Sequence, residues 1–393
     1  MDRRNQWKYL FDIIRYGLTG EKCPGAEGHP DWNYLYKICK HHKIEEMVWC
    51  GIEKMEQEMQ PPEEIRKKLQ RAGQLGSARE AVQHFALEEV LDAFEENGVD
   101  CILLKGCLLK QFYPRPDLRM MADLDIIYRP EREADVDRIL VSKGYECDHK
   151  DDNHNVYFRK PFMNIEMHHR LMSDVPRFSG YYENIWPKAE LLDGRKFVYH
   201  LQWEDFYIFM LTHLAKHFQN GGSGIRSVVD IWQFLDKMEE KLDWSYIDKE
   251  LESIHMKAFE QHIRKQADIW FKGAEGNAFY DELTDYIINS GIYGTINHHQ
   301  VWQAAGALRE DCKTVRQWQF RTRLRIIFFP LDLMKRQYPY LEKYPVLLPV
   351  AWMQRILRAL FKRRGRASKV LGEVKVDQND VFEKKKLFEE LNI

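Results

Sequence analysis

Before residue 98, three stretches repeat apolar residues at three- and four-residue steps: WKYLFDIIRYGL, DWNYLYKICKHHKIEEMVWCGIEKM and AREAVQHFALEEVLDAFEENG. That spacing lines one face of an α-helix, so residues 1–97 are predicted to be helical. Gly and Pro around residues 21–30, the Pro61-Pro62 pair and Gly98 mark the breaks. The period then changes. VDCILL is a continuous apolar run that stops at Lys105-Gly106. MMADLDIIY alternates, with Ala122, Leu124, Ile126 and Tyr128 on one face and Met121, Asp123, Asp125 and Ile127 on the other. PEREADVDRILVSKG reads as a helix closed by Gly144, and YECDH, NVYFRK and NIEMHHRL as short strands between polar turns. From Trp203 the helical period returns in WEDFYIFMLTHLAKHF, then in the segment after GGSG, and continues amphipathically through residues 240–320. The expected class is α+β, a small mixed-sheet core over residues 80–200 flanked by helical segments at 1–79 and 201–393.

Composition narrows this picture. A chain of 393 residues can hold two domains, and 59 Lys and Arg against 61 Asp and Glu give no general attraction to nucleic acid, which is therefore not expected as a partner. No run of about eighteen apolar residues occurs, and MDRRNQWKYL lacks a signal peptide's apolar region, so a cytoplasmic location is expected. The seven cysteines (Cys23, Cys39, Cys50, Cys101, Cys107, Cys147, Cys312) follow no paired spacing, so reduced thiols are expected rather than disulfides or a zinc ribbon.

The candidate chemistry starts at Asp123 and Asp125. Two carboxylates on one strand face, backed by an apolar stripe, repel each other unless a cation sits between them. Mg²⁺ suits such a pair because it prefers one or two carboxylates together with substrate phosphates. The spacing alone describes a solvated strand face or a turn equally well. Upstream, Lys105-Gly106 ends a strand before a short helix, CLLKQFY, which can form an anion pocket, although Lys105 also reads as a surface lysine. YPRPDLR is stiffened by its prolines and delivers Arg119, either to grip a triphosphate or to neutralise nearby acids. In NIEMHHRL, Asn164, Glu166, His168 and Arg170 share a face.

LLKG, YPRPDLR and DLDIIY together resemble the signature of the uncharacterised nucleotidyltransferase family, which is similar to the polymerase-beta nucleotidyltransferase superfamily. The resemblance extends to an H-x-x-x-H helix and a Gly, Arg and Asp segment, and covers roughly residues 85–235. It departs at Lys105-Gly106, where the superfamily usually carries Gly-Ser. It implies that Asp123 and Asp125, with Glu166 as the third acid on a neighbouring strand, hold two Mg²⁺ ions. The superfamily more often has Asp at the third position. The reaction implied is transfer of a nucleoside monophosphate from an NTP to a hydroxyl of a small-molecule or protein acceptor. Lys105, Gly106, Arg119, His168, His213 and Arg226 would line the nucleotide site. His168 reads either as a proton carrier or as a satisfied sheet histidine.

Two rivals stay open: a non-catalytic binding protein of the same fold, and a metal phosphohydrolase. His213 and His217 stand four apart on one helix, and Asp230 follows Arg226 by four, so His213, His217 and Asp230 could hold Zn²⁺ or Fe²⁺. Neither an HExxH motif nor a His-Asp dipeptide supports this. The other reading makes them a helical wall braced by an Arg226–Asp230 pair. His41-His42 reads as solvated helix surface. Near the C-terminus, RILRALFKRRGR (355–366) suits either an anionic membrane surface or an ordinary helix followed by a charged loop.

Overall fold

The alternating segments around Asp125 and Glu166 become neighbouring strands at the centre of a seven-stranded mixed sheet in the computed structural model. Described are residues 1–25, 28–151, 153–161, 163–292, 294–310, 313–362 and 376–393. Cys312 and the end of the basic RILRALFKRRGR segment lie outside them, and the other six cysteines are free.

Two compact units are present. The first comprises Met1–Phe218, Ser223–Tyr293 and Leu391–Ile393. Its strands are β1 (Cys101–Leu103), β2 (Leu124–Tyr128), β3 (Glu146–Lys150), β4 (His154–Arg159), β5 (Met163–His168), β6 (Ala189–Leu191) and β7 (Val198–Leu201), in the order β3-β4-β5-β2-β1-β7-β6. β2 runs antiparallel to β1 and parallel to β5, so the chain must cross over between β2 and β5. The helix Glu133–Ser142 and the β3–β4 hairpin fill that crossover. All five residues of β2 are buried, as befits a central strand covered on both faces. At one edge β3, ECDHK, is exposed throughout and mostly charged, which blunts further pairing.

Helices frame the sheet. We label α1 (Arg3–Thr19), α2 (Trp32–His42), α3 (Glu45–Ile52), α4 (Glu63–Glu96), α5 (Gly106–Leu109), α6 (Glu133–Ser142), α7 (Pro176–Ser179), α8 (Trp203–Gln219) and α9 (Ile225–Met238). α4 packs against α3, α6 and β7, and α5 packs against β2. α8 and α9 are locked to the stretch after β1 by an aromatic cluster: Phe112 meets Trp203 at 5.4 Å and Phe234 at 5.0 Å, and Tyr207 stacks on Phe234 at 5.7 Å. That cluster fixes the helical wall relative to the central strands.

The second unit, Gln219–Gly222 and Gly294–Glu390, is helical. Its small core gathers Met334, Tyr338, Leu341 and Ala351. Among the described residues no helix is long and apolar enough to cross a membrane.

Two expectations need correction. The acidic strand begins at Leu124, so Asp123 lies in the turn leading into it and strand alternation does not set its direction. His42 is not solvated: it is 0% exposed, with Nε2 3.0 Å from Ile288 O and Nδ1 accepting from Ile225 N–H at 3.1 Å. The second bond caps the otherwise orphaned start of α9 from a distant part of the chain. Gly224 permits it, because a Cβ there would lie 2.8 Å from His42 Nδ1. Burial pushes the His42 pKa down to about 3, so the ring is neutral, and accepting at Nδ1 puts its proton on Nε2.

Candidate active site

Asp125 is 4% exposed, and a carboxylate so buried needs compensation. Two side chains supply it on one oxygen: Lys105 Nζ lies 3.0 Å and His168 Nε2 2.9 Å from Oδ1. Oδ2 receives no hydrogen bond from the described residues. Strand pairing produces the convergence. β1 sets Leu103 beside Ile126, and Leu104 N–H donates to Asp125 O at 3.1 Å, which brings Lys105 next to Asp125. β5 sets Glu166 beside Asp125 and His168 beside Ile127, so Glu166 and His168 point to the same side as Asp125.

Asp125, Glu166 and His168 offer ligand atoms within 4.8 Å of one another, the one grouping of its kind among the described residues. Asp123 is half-buried and lies outside that grouping but on the same cavity wall. Burial would raise the pKa of Asp125, yet the Lys105 ammonium and the His168 hydrogen bond outweigh it and hold the group well below the usual carboxylate range. For Lys105, burial opposes the charge and Asp125 overcomes it, raising the pKa. Asp123 is raised by burial and then by Asp125, and Glu166 by burial, then by Asp125 and Asp123. Asp123, Asp125 and Glu166 thus crowd one wall beside the Lys105 ammonium, and the mutual repulsion that raises Asp123 and Glu166 is what a bound cation would relieve.

The turn after β1 is strained to achieve this. Lys105 adopts φ +39° and ψ −113°, a conformation costing a residue with a Cβ about 1–3 kcal/mol. A Cβ at the next position, Gly106, would meet Met121 Sδ at 2.6 Å and Arg119 Nη1 at 2.7 Å, so a larger residue there has to displace those side chains. Lys105, Gly106 and Arg119 border a cavity of about 440 Å³ whose wall also includes His213 and His217 from α8 and Arg226 from α9. Burial, then the Lys105 charge, pushes His217 down to about 4 and His213 well below 6.5. Their rings meet edge to face at 4.4 Å.

Arg119 and Asp230 are arranged differently from expectation. Arg119 Nε and Nη2 donate to Asp230 Oδ1 and Oδ2 at 3.1 and 2.8 Å, and Tyr113 O–H donates to Oδ1 at 2.6 Å. A buried guanidinium needs a full counter-charge, and Asp230 provides it. That commitment argues against a metal held by His213, His217 and Asp230. The brace read between Arg226 and Asp230 is instead a fork from Arg119, while Arg226 Nη1 donates to Met120 O at 2.9 Å. The tie between Tyr113, Arg119 and Asp230 was missed, although one signal existed: Asp230 is a lone charge inside the apolar run VVDIW.

The sequence profile of the uncharacterised nucleotidyltransferase family matches residues 28–272, more than half of the chain. No curated protein matches it significantly. Among solved structures, the solution structure of the antibiotic-resistance factor ANT(2'')-Ia aligns over 47% of this chain and 97% of that one, at 13% identity and a TM-score of 0.35.

Proposed function

The chain belongs to the uncharacterised nucleotidyltransferase family, and from that premise we propose that it transfers a nucleoside monophosphate from an NTP to a hydroxyl of a small-molecule or protein acceptor, with Mg²⁺ held by Asp125, Glu166 and Asp123. The observation that carries the reading is the pairing of Asp125 with Glu166 in register on parallel strands, beside a cavity. Its size falls within the range of about 300–1,000 Å³ usual for ligand pockets. The donor set fits Mg²⁺: carboxylate oxygens predominate, Asp125 Oδ2 carries no protein hydrogen bond among the described residues, and the nearby nitrogen of His168 is engaged by Asp125. When bound, the metal would neutralise phosphate charge and acidify the attacking hydroxyl.

The protein's own groups have separable roles in this reading. Lys105 keeps Asp125 ionised. Glu166 takes the acceptor's proton on the carboxylate oxygen not given to the metal, with His168 Nε2 3.6 Å from its Oε2. The acceptor oxygen bonds to the α-phosphorus, the bond from that phosphorus to the bridging oxygen breaks, and pyrophosphate departs with the electron pair. Arg226 and the neutral His213 and His217 offer donors to the triphosphate.

Titrating each NTP with Mg²⁺ into wild type and Asp125→Asn, alongside pyrophosphate release, tests the assignment. Weakened binding and lost turnover in the variant are expected. Indistinguishable behaviour would overturn it, and nucleotide binding without pyrophosphate release for any acceptor would instead identify a non-catalytic binding protein.

A further inference from the structure

The second unit, taken by itself, presents an unusual surface. Its helices include one at Val315–Ile327 and another at Leu348–Lys362. On the latter, Leu348, Ala351 and Trp352 face the unit's small core, while Val350, Met353 and Leu357 project from the opposite side and are 40%, 57% and 46% exposed. On the former, Phe320 and Leu324 form a second exposed stripe that continues to Phe328, with Arg316 on one flank and Arg321 and Arg325 on the other, all exposed. The helices adjoin: Phe328 meets Trp352 edge to face at 5.2 Å, and Arg355 donates to Ile326 O at 2.7 Å. Ten of the sixteen large exposed apolar residues among those described fall between 320 and 357. A lone exposed leucine means little, but a concentration of this kind marks a surface that meets something apolar.

Charge says what that is. Residues 313–362 contain eleven Lys and Arg against two Asp and Glu, in a chain whose net charge is −2. We propose that these exposed stripes of the second unit contact an anionic lipid bilayer, their apolar side chains in the headgroup region and the flanking arginines on acidic headgroups. Nucleic acid would engage the arginines but gains little from Val350, Met353 and Leu357 along a phosphodiester backbone. A second copy of the same stripes would oppose like charges. No described helix can span the bilayer, so the contact is peripheral.

Flotation of the full-length protein with phosphatidylcholine vesicles, with and without phosphatidylserine, tests this. Wild type should float only with the anionic vesicles, more weakly as salt rises. Met353→Glu with Leu357→Glu should abolish flotation, and the milder Met353→Gln should weaken it while leaving the melting temperature unchanged. Arg321→Gln with Arg325→Gln should cost roughly fivefold in affinity per arginine and flatten the salt dependence. Failure of wild type to float with anionic vesicles would overturn the proposal. So would oligonucleotide binding that outcompetes vesicles and ignores the Met353 and Leu357 changes, or self-association abolished by those changes.

Discussion

Replacing Asp230 with leucine strands a guanidinium. Arg119 is 8% exposed and Asp230 6%, the two are joined by bonds of 2.8 and 3.1 Å, and Tyr113 adds a third at 2.6 Å. Breaking a buried pair on one side costs about 3–5 kcal/mol, because the remaining charge stays out of water without a partner. The Tyr113 hydroxyl also loses its acceptor, worth about 1–3 kcal/mol if it stays buried. At roughly 2–4 °C per kcal/mol for a unit of this size, the pair alone corresponds to a fall in Tm of about 6–20 °C. Arg119→Lys should be destabilising too, because an ammonium cannot reproduce the two parallel bonds of the fork. The decisive comparison is the double variant Arg119→Met with Asp230→Leu, which removes both charges. It should recover most of the loss, with a coupling of at least about 2 kcal/mol in denaturant melts of all four proteins. A single-variant cost below about 1 kcal/mol, or a double variant as unstable as the sum of the singles, would show that the pair does not hold the segment leading to Asp123 and that Arg119 is free for a ligand.

Gly106→Ala should cost about 1–3 kcal/mol through overpacking against Met121 and Arg119, read as a shifted denaturant midpoint, and should weaken nucleotide binding; a silent change would refute the close approach. His42, with a folded pKa of about 3 against 6.5 unfolded, binds no proton in the native state where the unfolded state does. Its contribution is therefore intact above pH 6.5 and lost as pH falls toward about 3, at up to about 1.4 kcal/mol per pH unit, and His42→Gln should flatten that slope in melts across the range. Lys105→Met should remove one of the two groups that ionise Asp125, so stability and Mg²⁺-dependent nucleotide affinity should both fall, measured by melts and calorimetry.

Much of this site was legible locally. DLDIIY and NIEMHHRL carry the two-residue period, so the shared side of Glu166 and His168 follows from sequence alone. Their register against Asp125 does not, because parallel pairing joins segments about forty positions apart and leaves no local mark. The same applies to Lys105, whose partner is fixed by the β1–β2 pairing, and to Asp230, whose partner is 111 positions away. His42 shows the limit on helices: a histidine beside another on an amphipathic helix reads as solvated until the start of α9 and Ile288 close over it. β6 and β7, each four residues or shorter, are too brief for any periodicity to announce.

The central claim is that Asp125 and Glu166 hold a divalent ion against a nucleoside triphosphate. Crystals soaked with Mn²⁺ and a non-hydrolysable NTP analogue test it, since manganese takes the same oxygen ligands and its anomalous signal locates it without ambiguity. The account requires a manganese peak touching both carboxylates, with the phosphates beside Lys105. Manganese elsewhere, or nucleotide seated in the cavity with no metal at Asp125 and Glu166, would contradict it.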